Sequence, residues 1–397
     1  MAWNGHVVID SDSHVYERAD RTYQGYVDPE YQEPYDRLCK AIGKQLAEGR
    51  TYALFGTRES ILDPFDSGRP MGVPDTFGLT PQRGGGSPQD AAEAASEGKL
   101  LPREEVSWDA PARLEAMDRA MIDINLMFPT HASSYCCIRD VGFESALYRA
   151  YHRFVSDFCA QAPRRLKWNA LVNQRDLPAG LAEVESWAKR DPNLIGIYLP
   201  PIGTDGRLLD SPDFYPLYSL AQDLDLPLTV HIGVPRPPYT PGMLDMDGRG
   251  FLLSSLAPGF AGMGALGSFL GGGIFDLFPK LRVGIFETHA GWLPFAVEQF
   301  EWSSGRRAFV PHMKRSPREI LASGQLFHGI TTGEESLRFA MEEFGEDIWL
   351  FTTDFPHRGS PWPNGVQETV DPTWMTDSGR RKVLGENALR FFKRIEA

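Results

Sequence analysis

Eight short apolar runs alternate with amphipathic segments along this 397-residue chain, and four of the run ends carry histidine or carboxylate side chains. Together these features predict a (β/α)8 TIM barrel, with long insertions after the first and fifth strands and a metal centre at its mouth. The predicted strands are residues 6–12, 122–129, 167–172, 194–199, 227–232, 281–288, 325–330 and 348–354. Each is short and rich in β-branched or aromatic residues, as parallel strands buried on both faces are.

The first run, Val7-Val8-Ile9-Asp10-Ser11-Asp12, leads into Ser13-His14, so that Asp12 and His14 stand two residues apart and point to one face of an extended chain. Residues 17–107 form the first insertion, and the part from 56 to 107 is rich in Gly, Pro and Ser. A loop of that length is a lid, an interface arm or disorder. Helical periodicity then resumes over 109–121, where Asp109 is the expected N-cap and Leu114, Met117 and Met121 share a face. Residues 143–162, 178–190, 214–225, 334–344 and 377–394 read the same way. The second excursion, 233–276, carries Pro235-Arg236-Pro237-Pro238 and a Gly-rich stretch from Gly262 to Gly273, and is expected to overhang the pocket or to pack on the surface. No fixed-period repeat is present, and the chain reads as a single barrel domain over 1–397.

Forty Lys and Arg against 53 Asp and Glu give a net charge of −13, which argues against nucleic acid or anionic membranes as partners. No apolar run approaches the roughly 20 residues of a membrane span, and the first residues lack the features of a signal peptide, so a cytoplasmic protein is expected. Cys39, Cys136, Cys137 and Cys159 form no spaced zinc-binding pair and read as reduced thiols.

Four run ends carry the chemistry: Asp12-Ser13-His14, His231, His289 and Asp354. Imidazole and carboxylate donors suit a divalent transition metal. Asp12, His14 and His231 are candidate metal ligands, each weighed against an ordinary turn or core role. Asp354 ends an apolar run where an unpaired carboxylate would be costly, so it is a candidate ligand and acid/base. His289 either completes the metal sphere or stands beside it as acid/base and carboxylate anchor, and Glu287 is read as buried and paired rather than catalytic. Candidate substrate contacts are Trp292, His357 and His131, with His357 equally readable as a loop residue. His328 is left uncertain, His6 is placed at the opposite end of the barrel, and His152 and His312 are expected on the solvent side. Phe128, Tyr135, Tyr239, Trp292, Phe355 and Trp362 imply either an aromatic pocket or rim packing.

The segments Asp10-Ser11-Asp12-Ser13-His14-Val15-Tyr16-Glu17, Arg113-Leu114-Glu115-Ala116-Met117-Asp118, Leu194 to Leu199, Val230-His231-Ile232-Gly233, Glu287 to Pro294, Thr353-Asp354-Phe355-Pro356-His357 and Val383 to Phe392 resemble the amidohydrolase-related metal-dependent TIM-barrel family. The resemblance is to the branch of the aminocarboxymuconate-semialdehyde and aromatic acid decarboxylases. It implies that Asp12, His14, His231 and Asp354 hold a divalent metal, zinc or manganese with iron as a further option, and that His289 is the acid/base or substrate-orienting residue. Asp12 stands where relatives often have His or Glu, and Tyr198 stands where dinuclear hydrolases carry a bridging lysine. The expected activity is non-oxidative decarboxylation of a small hydroxyaromatic or unsaturated acid. The alternatives are hydrolysis of an amide, ester or lactone, a dinuclear oxygenase, or a scaffold subunit of a hetero-oligomer. A homodimer is the expected assembly.

Overall fold

The computed structural model describes residues 3–15, 17, 22–47, 104–138, 140–204, 206–232, 250–306, 310–357 and 359–395. Most of the first insertion (18–21 and 48–103) and residues 233–249 of the second, including Tyr239, lie outside them. Eight parallel strands form one sheet in sequence order: β1 (Ile9–Val15), β2 (Ile124–Pro129), β3 (Leu166–Ala170), β4 (Leu194–Leu199), β5 (Leu228–His231), β6 (Val283–Phe286), β7 (Leu326–Gly329) and β8 (Trp349–Leu350). Every strand residue is buried, as the apolar runs require. Helices connect successive strands on the outside, the arrangement of a (β/α)8 barrel.

β1 and the chain after β8 close the sheet. Ser11 N–H donates to the Phe351 carbonyl at 2.9 Å, His14 N–H to that of Phe355 at 2.7 Å, and Asp354 N–H to that of Asp12 at 2.9 Å. Asp10 locks this seam from inside. Its carboxylate accepts from Asn125 Nδ2 of β2 at 2.8 Å, from Thr353 N–H at 3.0 Å and from Thr353 Oγ1 at 2.6 Å. Burial, only partly offset by the Thr353 hydrogen bond, pushes its pKa up to about 7. From behind β1, the fully buried Arg113 donates through Nη2 to the His14 carbonyl at 2.8 Å and to Ser13 Oγ at 3.2 Å.

Several elements depart from the sequence expectations. β1 runs three residues beyond its predicted end, so Asp12 and His14 lie inside a strand that is bulged between Asp10 and Ser13. β8 is two residues long, because the chain beyond it bonds to β1 through scattered hydrogen bonds rather than a regular ladder. The Gly-rich part of the second excursion is a helix, Gly250–Gly271, with Pro258 inside it. A Cβ on Gly262 would lie 2.6 Å from the Trp292 ring and 3.0 Å from Thr288, so glycine there admits close packing. The closing helical segment is interrupted by a π turn at Lys382–Glu386. Asp109 occupies an N-cap position, but its side chain makes no cap hydrogen bond.

His152 is buried, not solvent-facing. Its Nε2 accepts from Leu171 N–H at 3.0 Å, its Nδ1 lies 3.2 Å from Glu183 Oε1, and its ring sits between Trp168 and Trp187. These partners come from distant parts of the chain, which helical periodicity alone does not reveal. His312 and His6 are exposed. Cys39, Cys136 and Cys159 form no disulfide. Among the described residues, no helix is long and apolar enough to cross a membrane.

Asp10→Ala leaves Asn125 and Thr353 without their buried acceptor and should destabilise the fold by about 2–4 kcal/mol. Urea unfolding followed by circular dichroism reads this. An unchanged midpoint would show that the seam does not depend on Asp10.

Candidate metal centre

Asp12, His14 and His231 converge at the C-terminal end of the barrel. β1 carries the first two and β5 ends on the third. All three are buried, and one donor atom from each lies within 4.8 Å of the others. Asp12 Oδ1 is 3.4 Å from His14 Nε2, and Asp12 Oδ2 is 3.3 Å from His231 Nε2. Asp354 reaches the group from the other side of the seam, with Oδ1 3.2 Å from His14 Nε2. His14, Asp354 and His357 form a second group of three, with one donor atom from each within 4.8 Å of the others.

The donor set fits a divalent cation. Both Asp12 oxygens, His14 Nε2 and His231 Nε2 are buried without a hydrogen-bond partner. Buried polar atoms are nearly always satisfied, so a converging set of unsatisfied acceptors calls for a positive charge. The protonation pattern agrees. Burial disfavours the His14 imidazolium, yet the Asp12 and Asp354 carboxylates, which would accept from its N–H, outweigh burial and raise its pKa to about 10. The Asp12 and Asp354 carboxyls are held below the usual range despite burial, Asp12 chiefly by His231 and Asp354 chiefly by His357. In the metal-free protein, a proton on His14 therefore stands where a cation would bind.

The surroundings are aromatic on one side and carboxylate-bearing on the other. The Phe128 ring lies 4.8 Å from that of His231 and 5.8 Å from that of His14, and the Tyr198 ring lies 6.0 Å from His231. Glu287 follows β6 with its side chain 36% exposed and Oε2 3.6 Å from His231 Nε2. Its enclosure and the nearby Asp354 and Asp12 carboxylates push its carboxyl well up. It thus faces the metal ligands, where a buried, paired structural role was expected.

The structure does not bring His289 into either donor group; the residue is exposed at the barrel mouth, two positions beyond Glu287. His357 lies beside the ligands, its Nδ1 2.7 Å from Asp354 Oδ1 and its ring stacked 3.9 Å from that of His14. His131 begins the 3-10 turn after β2, and burial followed by the nearby His357 pushes its pKa down to about 3. Trp292 donates through Nε1 to the Thr288 carbonyl at 2.8 Å and packs on the glycines of helix Gly250–Gly271. His328 is buried in β7 with Nε2 3.3 Å from Thr288 Oγ1. Phe355 and Trp362 turn away from the site: Arg113 covers Phe355, and Trp362 donates to the Ala116 carbonyl at 3.1 Å, so these two are rim packing.

Three supporting residues escaped the sequence reading. Glu17 binds the turn after β2, accepting from Thr130 and His131 N–H at 3.0 and 2.8 Å. Glu334 accepts from Ala290 and Gly291 N–H at 2.9 and 2.7 Å and so fixes the loop that carries His289. Asp10 shares the spacing of Asp12 and His14, a signal that was legible; Glu334 had none.

A family model described as Amidohydrolase matches residues 9–394. Solved structures share the fold at low identity. An amidohydrolase from Mycobacterium avium subsp. paratuberculosis K-10 is 18% identical, with 98% of this chain and 99% of that one covered at a TM-score of 0.70. For 5-carboxyvanillate decarboxylase from Sphingomonas paucimobilis the figures are 19%, 98%, 99% and 0.68. The 5-carboxyvanillate decarboxylase from Novosphingobium aromaticivorans DSM 12444, complexed with manganese and 4-hydroxy-3-methoxy-5-nitrobenzoic acid, gives 19%, 98%, 96% and 0.65.

Because His14 pKa is raised to about 10 from 6.5, its imidazolium stabilises the metal-free fold fully below pH 6.5, and that contribution is lost as pH rises through about 10. A cation must displace the same proton. Manganese affinity should therefore rise about tenfold per pH unit between about pH 6.5 and 8.5. Calorimetric titration at several pH values measures the slope, and a pH-independent affinity would remove His14 from the ligand set.

Proposed function

The chain belongs to the amidohydrolase family, and on that premise we propose that it is a metal-dependent enzyme removing a carboxyl group, without oxidation, from a small hydroxyaromatic or unsaturated acid. The observation that carries this reading is the set of unsatisfied donors of Asp12, His14 and His231, with Asp354 3.2 Å from His14, beside the Phe128 ring. The structural neighbours support it, since several are decarboxylases of 5-carboxyvanillate or of dihydroxybenzoates and some hold manganese. Tyr198 near the end of β4 leaves no lysine there to bridge two metals, which supports a single cation.

A divalent cation held by Asp12, His14, His231 and Asp354 would supply Lewis acidity towards the substrate carboxylate and a neighbouring oxygen. Phe128 offers an apolar wall for an aromatic or unsaturated skeleton. In the reaction, the bond between the carboxyl carbon and its neighbour breaks, the electron pair stays on the neighbouring carbon, CO2 leaves, and one proton takes its place. Asp354, held by His357 at 2.7 Å, and His289 at the mouth are the residues proposed to manage that proton. Trp292, His357 and His131 are the proposed substrate contacts around the mouth.

Metal content per chain and CO2 release from a panel of hydroxybenzoic and unsaturated acids test the reading. The expected outcome is about one zinc or manganese per chain, CO2 release lost on chelation, and an Asp354→Asn variant slowed at least about 100-fold. Hydrolysis of a lactone or ester without CO2 release would replace it with the hydrolase reading. Two metals and a strict need for O2 would favour a dinuclear oxygenase using His357. Activity only with a second protein would favour the scaffold reading.

A further inference from the structure

Thr130 stands between two of the histidines at the site. Its hydroxyl oxygen lies 3.3 Å from His14 Nδ1 and 2.8 Å from His357 Nε2, while His357 Nδ1 lies 2.7 Å from Asp354 Oδ1. A hydroxyl has one proton to donate, and a neutral imidazole has one N–H and one bare nitrogen. These counts fix the direction of the chain.

At 2.7 Å from a carboxylate oxygen, His357 Nδ1 must carry a proton, because two lone pairs at that distance repel. The His357 ring stacks 3.9 Å from that of His14, so with a divalent cation on His14 a positive charge on His357 would be repelled. His357 is then neutral, and its Nε2 is bare. The Thr130 hydroxyl must donate its proton to that nitrogen, and it can only accept from His14 Nδ1. His14 is thereby held as the Nδ1–H tautomer, with the Nε2 lone pair directed at Asp12 and Asp354, 3.4 and 3.2 Å away.

We propose that Thr130 is a positioning residue of the metal centre: its hydroxyl, relayed through His357 to Asp354, selects the His14 tautomer that binds a cation. The hydrogen-bond partner of a metal-bound histidine orients the ring and fixes its tautomer, and losing that partner typically costs 10- to 100-fold in metal affinity. Here one hydroxyl does this for His14 and also orients the histidine that holds Asp354. Glu17 in turn anchors Thr130 through its backbone N–H at 3.0 Å, so the threonine is placed by its main chain before its side chain acts. The inference rests on the metal-centre reading but not on the substrate.

The test combines zinc titrations with 15N spectra of histidine-labelled, zinc-loaded protein. Zinc is diamagnetic, so the ring nitrogens of His14 remain observable. The expected result is an Nδ1–H tautomer for His14 in the unsubstituted protein. Thr130→Val, which keeps the shape and removes the hydroxyl, should lose about 10- to 100-fold in zinc affinity, and Thr130→Ser should recover to within about threefold of the original. His357→Phe keeps a stacked ring and breaks the relay. It should lower affinity similarly, and combining it with Thr130→Val should add little further loss. An Nε2–H tautomer for His14, or zinc affinity in Thr130→Val within threefold of the original, overturns the proposal. If Thr130→Val does not fold, His357→Phe decides: a zinc affinity within threefold of the original overturns the proposal. If that protein takes up no zinc or manganese at all, the metal centre itself fails, an outcome separate from a wrong tautomer.

Discussion

The closure of the barrel and the construction of its reactive centre depend on the same few hydrogen bonds. β1 must pair with the chain after β8, and it does so through Ser11, Asp12 and His14 on one side and Phe351, Asp354 and Phe355 on the other. Two of the candidate ligands and the candidate acid/base are therefore brought together by the act of closing the sheet. Asp10 sits under this seam with its carboxylate shared between β2 and Thr353. A buried carboxyl of this kind contributes little net stability unless every bond is made, and its value lies in register: it fixes which residue of the last segment stands opposite Asp12.

Once the seam is closed, electrostatics dictate what the centre must hold. Two carboxylates, Asp12 and Asp354, face two imidazoles across 3.2–3.4 Å. Neutral histidines would leave the negative charges unbalanced in a poorly solvated space walled by Phe128. A proton on His14 relieves part of this, which is why its pKa climbs to about 10. A divalent cation relieves more of it, and uses the atoms that are otherwise unsatisfied. The apolar wall that makes uncompensated charge expensive is the same feature that would strengthen the hold on a cation and on an anionic substrate.

The sequence displays the repeating part of this architecture well and the irregular part poorly. β4 occupies residues 194–199 as expected, because an uninterrupted apolar run in a central strand has no other use. The run ends at Asp12, His14, His231 and Asp354 are equally legible, since polar residues closing apolar runs are costly without a purpose, whereas His289 ends a run and stays outside both donor groups. β1 and β8 are displaced or shortened because their pairing depends on a bulge and on isolated bonds across the seam, neither of which has a local periodicity. The helix Gly250–Gly271 is missing from the expected helices because its glycines look like chain breakers, whereas Gly262 is there to admit Trp292 and Thr288. His152 and Glu334 act through partners tens of residues away, and nothing in their immediate neighbours announces this.

The conformations around the mouth point the same way. Glu287, His289 and Asp354 all adopt left-handed backbone angles, with φ of 54°, 58° and 55°. A residue bearing a Cβ spends about 1–2 kcal/mol to do so. Such strain persists only where the surroundings over-determine it, and it concentrates at functional sites. Here the surroundings are identifiable: Asp354 is pinned by its N–H to the Asp12 carbonyl, and the loop after Glu287 and His289 by the Glu334 carboxylate and the Trp292 indole. An extended continuation of either strand would alternate its side chains between the barrel interior and the helical layer. The left-handed turns break that alternation, setting Glu287 3.6 Å from His231 and Asp354 3.2 Å from His14. The backbone is strained at these positions because the centre needs carboxylates where a regular strand would not deliver them.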